Sequence, residues 1–397
     1  MRTYRFRLYP SKLQDKEMQN HLWISKELWN NLLGATVKLY DAEKKFPTKS
    51  EFQVMVKDTE LYSQTAQGVA HRLDRALKAK IRAKKQGKVW GFPRFKSFDR
   101  MRSLYYPQSG FSLANKLKVS PFGEISIKRH REINGNIKTL TLKRELTGKW
   151  VAIFCTEQIP TQPKINNGEQ IGMDLGLITL ATLSNGEKIK NPHHLKTHEE
   201  RLAFVQRELS KKNKGSHNRK KAKLRVAKLH EKVSNTRLDF LHKTANDLLS
   251  TYSLIAMEKL ASQDMAMQGH GKGINDVGWG MFANMLTYKA ENAGCKVVFV
   301  DPRNTSKECS RCHQLVEKTL WERQHNCPSC GLSIDRDVNA AINILKRSRN
   351  ALSISRDLPK RANRATVGIT GSNACEDGAI VPSMKQEAIT LPSGRLG

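Results

Sequence analysis

The first half of the chain carries three successive patterns of hydrophobic and polar residues. Residues 2–9 alternate basic with apolar side chains, which predicts a half-buried strand with one basic face. Apolar residues then recur at helical spacing after Ser11 and again from about Ser63, so we expect two helices there. From Phe92 onward short alternating runs return, and the Asn-Gly pair at 134–135 is typical of a hairpin turn. Together these segments predict a small β-barrel that is interrupted by a helical region.

The second half predicts a sheet of buried strands with helices between them. The run 171–183 is apolar except for Asp174 and two threonines, which predicts a central strand that enters a tight turn at 184–186. Further predicted elements are helices over roughly 197–250 and 280–293, strands at 254–257 and 296–300, and a last helix from about Asp337. Beyond that helix the periodicity is lost, so residues 351–397 are expected to form a disordered tail.

The charge balance narrows the expected partners. The chain has 69 Lys and Arg against 37 Asp and Glu, which gives a formal net charge of +32 and a pI near 10.0. Such a field attracts polyanions and releases their counterions, so nucleic acid is the expected partner. No apolar run approaches the roughly 18 residues that span a bilayer, and no apolar signal core is present. We therefore expect a cytoplasmic protein with no membrane partner.

Four cysteines have the spacing of a metal site. Cys309, Cys312, Cys327 and Cys330 form a C-x2-C, x14, C-x2-C array. Two thiolate pairs on tight turns can converge on one tetrahedral ion, and a structural zinc ion replaces the core that so short a loop cannot build. His313 follows the first pair and is an alternative ligand, although we expect the four thiolates to form the site.

Three carboxylates predict a second metal centre. Asp174 lies inside an apolar strand, where a carboxylate costs free energy unless it is paired or bound to metal. Glu258 ends another apolar strand and Asp337 opens the last helix. Three such carboxylates can hold two magnesium ions about 4 Å apart for phosphodiester hydrolysis, the layout of RNase H-like nucleases. Asp335 is the rival third ligand, and we expect it to cap the helix instead.

A further set of residues has the chemistry of nucleic-acid contacts. The first strand and the helix from Ser63 carry arginines beside their apolar positions, and residues 211–228 form a basic run with almost no acid. The polar segment 304–307 directly precedes the first cysteine pair. For each group the alternative is a solvated surface or a plain turn. The candidates are Arg5, Arg7, Arg72, Arg75, Arg94, Lys96, Lys211, Lys212, Lys214, Arg219, Lys220, Asn304, Ser306 and Lys307.

Ordered motifs run along about residues 1–350. They read YRFRLYP at 4–10, GFPRFK at 91–96, GMDLG at 172–176, LSKKNKGS at 209–216, NTSKEC at 304–309 and DRDVNAA at 335–341. In these motifs the chain resembles TnpB, the RNA-guided nuclease of bacterial insertion sequences, which is related to type V CRISPR effectors. His313 departs from the family pattern, since the family often has glycine at that position.

The resemblance implies an α+β multidomain protein whose nuclease domain is an RNase H-like, RuvC-type α/β fold. The implied domains are a β-barrel wedge at 1–10 and 91–165, a helical recognition domain at 11–90, a RuvC-like domain at 166–308 and 331–350, and a zinc-ribbon insertion at 309–330. The matching positions make Asp174, Glu258 and Asp337 the catalytic ligands of Mg²⁺. The implied partners are a guide RNA from the transposon end and target double-stranded DNA, in the cytoplasm at the bacterial nucleoid.

The function that these features favour is RNA-guided cleavage of double-stranded DNA next to a short motif that the protein reads. One alternative is a strand-transfer transposase, which uses a similar acidic triad and metal pair. Another is a zinc-containing nucleic-acid-binding regulator without catalysis, and the intact triad argues against it. The sequence leaves open the guide, the adjacent motif and the oligomeric state.

Overall fold

The chain folds into two compact mixed α/β units. The computed structural model describes residues 2–157, 166, 168–260, 273, 276–319 and 321–357, with the backbone alone over 352–357. One unit lies within Met1–Ile159 and the other within Pro160–Thr366. In the described ranges, no helix combines the length and the apolar composition that crossing a membrane requires.

The first unit is built on an open antiparallel sheet. Its strands are β1 (Arg2–Tyr9), β2 (Ser103–Tyr106), β3 (Phe111–Leu113), β4 (Leu117–Val119), β5 (Gly123–Lys128), β6 (Ile137–Arg144) and β7 (Trp150–Thr156). Their order is β2-β6-β7-β1-β5-β4-β3, and among these strands the edges β2 and β3 each have one hydrogen-bonded neighbour. The sheet is therefore a curled half-barrel, whereas the sequence pattern predicts a barrel.

The central strand β1 confirms the predicted alternation. Tyr4, Phe6 and Leu8 are buried in the core of this unit, while Arg5 and Arg7 lie on the other face. The strand pairs with β7 along most of its length and with β5 at its end.

The predicted hairpin at 134–135 is wrong. Those residues connect β5 to β6, and β1 and β7 lie between these two strands in the sheet. Gly135 has a left-handed φ of 92°, so the turn conformation itself is present. The loop instead closes on β1, because the Asn134 amide donates to the Tyr4 hydroxyl at 3.2 Å. The pairing of β1 with β5 and β7 therefore separates β5 from β6, although these two strands are consecutive in the chain.

Three helices complete the first unit: α1 (Lys12–Glu43), α2 (Lys49–Met55) and α3 (Ser63–Lys85). α1 begins at a capping box, in which the Ser11 side chain accepts from the Gln14 amide and the Gln14 side chain accepts from the Ser11 amide. Trp29, Phe52 and Leu73, one from each helix, pack in one core. The short helix α2 was not predicted.

The second unit contains a five-stranded mixed sheet. Its strands are β8 (Glu169–Leu175), β9 (Thr179–Leu183), β10 (Lys188–Lys190), β11 (Tyr252–Glu258) and β12 (Lys296–Val300), and its helices are α4 (His194–Ser210), α5 (His217–Thr251), α6 (Trp279–Ala293) and α7 (Arg336–Asp357). The order is β10-β9-β8-β11-β12, with β8, β11 and β12 parallel to one another. A small hairpin of β13 (Gln324–Asn326) and β14 (Ser333–Asp335) precedes α7.

The apolar run 171–183 is two strands and not the single strand predicted. β8 ends at Leu175, and the Gly176 amide donates to the Leu180 carbonyl at 3.2 Å to start β9. Both strands are buried, so their apolar residues join into one run that shows no break. The predicted turn at 184–186 is confirmed, and it connects β9 to β10.

Helices cover both faces of this sheet. Met173 and Ile255 point to the face that packs against α5 and α6, and Leu254 and Ala256 point to the face that packs against Ile344 of α7. α7 extends to Asp357, so residues 351–357 are helical and do not form part of a disordered tail as predicted. The part of that predicted tail beyond residue 357 lies outside the described residues.

α7 lies unusually close to β8 at one glycine. A Cβ on Gly172 would lie 2.0 Å from the Ala341 carbonyl oxygen and 2.9 Å from the Leu345 Cβ. Only glycine allows the helix backbone to approach the strand at this position.

Gly172→Ala should therefore destabilise the second unit, because the added methyl pushes α7 away from β8. Overpacking of this kind costs about 1–3 kcal/mol, which lowers the melting temperature by roughly 5 °C. Gly34→Ala is the matched control, since nothing lies within 4 Å of its added Cβ in α1. Differential scanning calorimetry measures both, and equal melting temperatures for the two variants would contradict the close-packing interpretation.

Candidate functional site

The pleat of the sheet places Asp174 and Glu258 on one face. Gly172 lies under α7, so Asp174, two residues further along β8, is on the same face of the sheet. On β11, Leu254 and Ala256 face α7, and Glu258 continues that face at the strand end. The parallel register pairs Met257 with Met173, which makes the two carboxylates neighbours at the carboxyl ends of adjacent strands.

Asp337 approaches this face from the first turn of α7. The preceding residue Arg336 donates from both Nε and Nη2 to Asp337 Oδ1, each at 3.0 Å. Nη1 of Arg323, the residue directly before β13, lies 3.8 Å from Asp337 Oδ2. Two guanidinium groups therefore surround the carboxylate.

Asp335 has the capping role that the sequence predicts. Its Oδ1 accepts from the backbone amides of Asp337 at 2.9 Å and Val338 at 3.2 Å, and these amides are otherwise unpaired at a helix start. Its Oδ2 accepts from Lys188 Nζ at 2.7 Å. Both oxygens of Asp335 are thus engaged by the protein.

The three carboxylates share one electrostatic environment. Burial, and then the nearby charges of Glu258 and Asp337, hold the pKa of Asp174 well above its usual range. Burial also raises the pKa of Glu258, against the opposing effects of the Thr305 hydrogen bond and Arg347. A cation that enters the cluster would therefore stabilise the ionised forms of Asp174 and Glu258.

The carboxylates are close enough to interact but do not converge on a point. Of the residues that the structure describes, the four cysteines are the one group of three or more metal-binding side chains whose ligand atoms all lie within 4.8 Å of one another. The acidic cluster is wider than that limit.

The polar segment 304–307 belongs to a loop that connects Glu258 to the first cysteine pair. We call residues 301–308, between β12 and Cys309, the strap. Thr305 of the strap is buried, and its hydroxyl donates to Glu258 Oε1 at 2.5 Å. The predicted contacts Asn304, Ser306 and Lys307 flank it. Asn304 has a left-handed φ of 60° and lies exposed in a turn.

One face of α7 holds the strap in place. Asn343 donates to the carbonyls of Thr305 and Glu308 at 2.9 and 2.7 Å. Asn339 donates to the Glu308 carbonyl at 2.8 Å and accepts from the Ser310 amide at 2.9 Å. Arg347, one turn further on, binds Glu308 Oε2 at 2.7 Å. Asn339, Asn343 and Arg347 recur every four residues along α7, and this polar spacing is the feature of the sequence that could have indicated the contact.

The four cysteines form a compact sulfur cluster. We call residues 309–330 the cysteine insertion. The Sγ atoms of Cys309 and Cys330 are 3.6 Å apart, and those of Cys312 and Cys327 are 3.5 Å apart. Zn–S bonds of about 2.3 Å in a tetrahedron place the sulfurs about 3.8 Å from one another. The cluster therefore suggests zinc binding.

The two cysteine pairs lie on matching turns. His313 and Gly331 each follow a pair with left-handed φ values of 64° and 69°, and their amides donate to Cys309 and Cys327 carbonyls at 3.0 Å. The ring of His313 lies 2.7 Å from Glu308 Oε1 and is outside the sulfur cluster. The expectation that four thiolates form the cluster without this histidine agrees with the geometry.

The candidate nucleic-acid contacts differ in how accessible they are. Arg219 is partly buried, and its guanidinium donates to the carbonyls of Leu209 and Lys212, which closes the turn between α4 and α5. Arg72 donates to the Ser103 carbonyl at 3.0 Å. The exposed candidates are Arg5, Arg94, Lys211, Lys214, Lys220 and Asn304, and the partly buried ones are Arg7, Arg72, Arg75, Lys96, Lys212, Arg219, Ser306 and Lys307.

The segment 88–96 carries two exposed aromatic side chains beside the candidates Arg94 and Lys96. Trp90 and Phe95 are exposed, while Phe92 between them packs against Tyr40. The segment is anchored, because Lys80 donates to the Trp90 carbonyl at 2.7 Å and Trp29 to the Arg94 carbonyl at 3.2 Å. Exposed rings among lysines and arginines are typical of surfaces on which bases stack.

Two family models match the second half of the chain. One, described as "Probable transposase", covers residues 153–268, which include Asp174 and Glu258. The other, described as "Cas12f1-like, TNB domain", covers residues 279–344, which include the cysteine insertion and Asp337.

Similar proteins extend over most of the chain. A Streptomyces pristinaespiralis protein named "Putative RNA-guided DNA endonuclease" is 32% identical over 362 residues, which are 87% of this chain and 88% of that protein. An Escherichia coli (strain K12) protein of the same name, InsQ, is 27% identical and covers 89% of this chain and 94% of its own length. Among solved structures, the Cas12f1 chain of a Cas12f1-sgRNA-target DNA complex has the same fold, with a TM-score of 0.55 at 15% identity, covering 84% of this chain and 83% of its own. The chain therefore belongs to the TnpB family that its sequence motifs indicate.

Proposed function

We propose that this protein is an RNA-guided endonuclease that cuts double-stranded DNA next to a short motif read by the protein. The observation that supports the proposal is that Asp174 and Glu258 lie side by side on the face of the second sheet that α7 covers, near Asp337 in the first turn of that helix. Relatives that cover most of the chain are named putative RNA-guided DNA endonucleases, which supports the RNA guidance and the DNA cleavage. We propose that the second unit is an RNase H-like, RuvC-type nuclease domain and that the first contains the wedge and recognition domains.

Magnesium is the cofactor that suits the three carboxylates. The donors are hard oxygens, and burial together with their mutual repulsion raises the pKa of Asp174, so they match a divalent cation that takes oxygen ligands. When bound, Mg²⁺ lowers the pKa of water and stabilises the leaving oxygen in phosphodiester hydrolysis. Asp174, Glu258 and Asp337 would hold it, while Asp335 keeps α7 capped. Arg336 and Arg323 add positive charge where a phosphate approaches Asp337.

The net charge of +32 suits two nucleic-acid partners. We propose a guide RNA derived from the transposon end and target DNA, bound in part by the exposed lysines and arginines and by stacking on Trp90 and Phe95. The protein would act in the bacterial cytoplasm at the nucleoid, where the target double-stranded DNA is found. A strand-transfer transposase needs no guide RNA, and a regulator needs no acidic triad, so both alternatives are less favoured.

We propose that the cysteine insertion holds one structural zinc ion. Four thiolates close a tetrahedral site and leave no position for a substrate, which gives the ion a folding role. The insertion supplies few buried apolar side chains in the described ranges, and Cys309 and Cys327 are among its buried residues. The ion would replace the missing core.

Cys327→Ser should lower the zinc content well below one ion per chain, because three thiolates cannot close the site. Plasma mass spectrometry on purified protein measures the ratio. Cys295→Ser is a matched control, since Cys295 is a buried cysteine of the main core outside the cluster. His313→Gly should also keep its zinc, because glycine adopts the left-handed φ of this position without strain. Unchanged zinc in the Cys327 variant would contradict the proposal.

Substitution of the triad should stop cleavage and leave binding intact. Asp174→Ala, Glu258→Ala and Asp337→Ala each remove a metal ligand, so we expect cleavage rates lower by on the order of 1000-fold. Gel-shift assays should show unchanged RNA and DNA affinity. Asp335→Asn is the control, because asparagine also caps helices, and its rate should fall by less than about tenfold. A fully active Asp337 variant beside an inactive Asp335 variant would reverse their roles.

RNA guidance predicts cutting that follows base pairing. Purified protein with its co-purified RNA and Mg²⁺ should cut a duplex that matches one RNA end and leave a scrambled duplex of equal length intact. Sequencing of the bound RNA defines the matched duplex, and denaturing electrophoresis reads the products. Equal cutting of both duplexes would leave a non-specific metal nuclease, and joined DNA products would indicate strand transfer.

A further inference from the structure

The contact between Thr305 and Glu258 bears on how the acidic cluster works. Glu258 ends β11, and among the described residues the Thr305 hydroxyl is its hydrogen-bond partner, on Oε1. The other oxygen, Oε2, accepts no hydrogen bond from these residues. A carboxylate at a strand end rotates unless something binds one of its oxygens, so this bond selects the orientation of Glu258.

The hydroxyl is itself held in one place. Thr305 is 4% exposed, and its hydroxyl oxygen lies 2.5 Å from Glu258 Oε1 and 3.1 Å from the Pro302 carbonyl oxygen. Its β-branched side chain has few rotamers. Asn343 of α7 fixes its carbonyl at 2.9 Å.

The same helix therefore places two members of the acidic cluster. α7 carries Asp337 in its first turn, and through Asn343 and the strap it also sets the position of the group that orients Glu258. The strap continues directly into Cys309, so the cysteine insertion begins four residues after Thr305.

We propose that Thr305 is a positioning residue whose hydroxyl holds Oε1 of Glu258 and so leaves Oε2 available as the metal-binding oxygen. This inference rests on the proposed function, since it concerns the metal affinity of the same carboxylates. It predicts that loss of the hydroxyl weakens divalent-metal binding without removing any ligand.

The test measures Mn²⁺ binding to the purified full-length protein by electron paramagnetic resonance. Thr305→Val keeps the shape and removes the hydroxyl, and it should raise the dissociation constant for Mn²⁺ by about 10–100-fold, the usual effect of losing such a supporting bond. Thr305→Ser restores the hydroxyl and should return the constant to within roughly threefold of the original. The Mg²⁺ concentration for half-maximal cleavage should shift in parallel.

A matched control lies in the cysteine insertion. The Thr319 hydroxyl donates to Glu322 Oε1 at 2.9 Å, so Thr319→Val removes the same kind of bond at an exposed site. It should bind Mn²⁺ as the unmodified protein does. Zinc content and melting temperature are measured for every variant, and Thr305→Ala replaces the valine variant if that one does not fold.

Three further outcomes separate the possibilities. If Glu258→Gln weakens Mn²⁺ binding while Thr305→Val does not, the positioning role is wrong and the proposed function stands. If Asp174→Asn and Glu258→Gln both bind Mn²⁺ normally, the metal site and the proposed function fail together with this inference. In the Glu258→Gln background, Thr305→Val should have no additional effect, because the hydroxyl acts through that carboxylate. A full additional effect would overturn the proposal.

Discussion

The second unit depends on the contact between α7 and β8 at Gly172. The absence of a side chain there lets the helix backbone lie directly on the strand, and Ile344 then packs against the sheet beside it. This contact sets the height of α7 above the sheet, and so sets the distance of its first turn from the strand ends. Asp337 reaches the neighbourhood of Asp174 and Glu258 because the helix cannot lie further away without opening the core.

The opposite side of the same helix is polar for a reason that follows from its position. The strap crosses α7 as irregular chain, and its buried carbonyls and amides need hydrogen-bond partners. Asn339, Asn343 and Arg347 supply them at intervals of one helical turn. One helix therefore links the sheet to the strap, and the strap links Glu258 to the first cysteine pair.

The acidic cluster lowers the folding stability of the second unit, and the rest of the fold compensates for it. Burial and neighbouring carboxylates raise the pKa of Asp174 and burial raises that of Glu258, so each is more costly to ionise here than in water. Nothing in the packing requires an acid at the sixth position of β8, whose neighbours on the other face are Met173 and Leu175. Residues that oppose stability in this way are expected at functional sites, where the ligand provides the missing charge.

The parts of this structure that sequence could predict are those that depend on local spacing. The alternation of β1, the C-x2-C pairs and the cap at Asp335 each follow from residues within a few positions of one another. The parts that it could not predict depend on partners far along the chain. The loop at 134–135 has the right turn chemistry, but β1, more than 100 residues earlier, lies between the strands that it connects.

Thr305 shows the same limit within the candidate site. Its neighbours Asn304, Ser306 and Lys307 have side chains that suit nucleic acid, and nothing local marks the threonine as the residue that turns inward. Its direction is decided by Asn343, 38 residues later, and its partner Glu258 lies 47 residues earlier. Asp174 could be named from sequence because a charge inside an apolar strand is anomalous where it stands, whereas Thr305 is an ordinary residue until the fold brings it to Glu258.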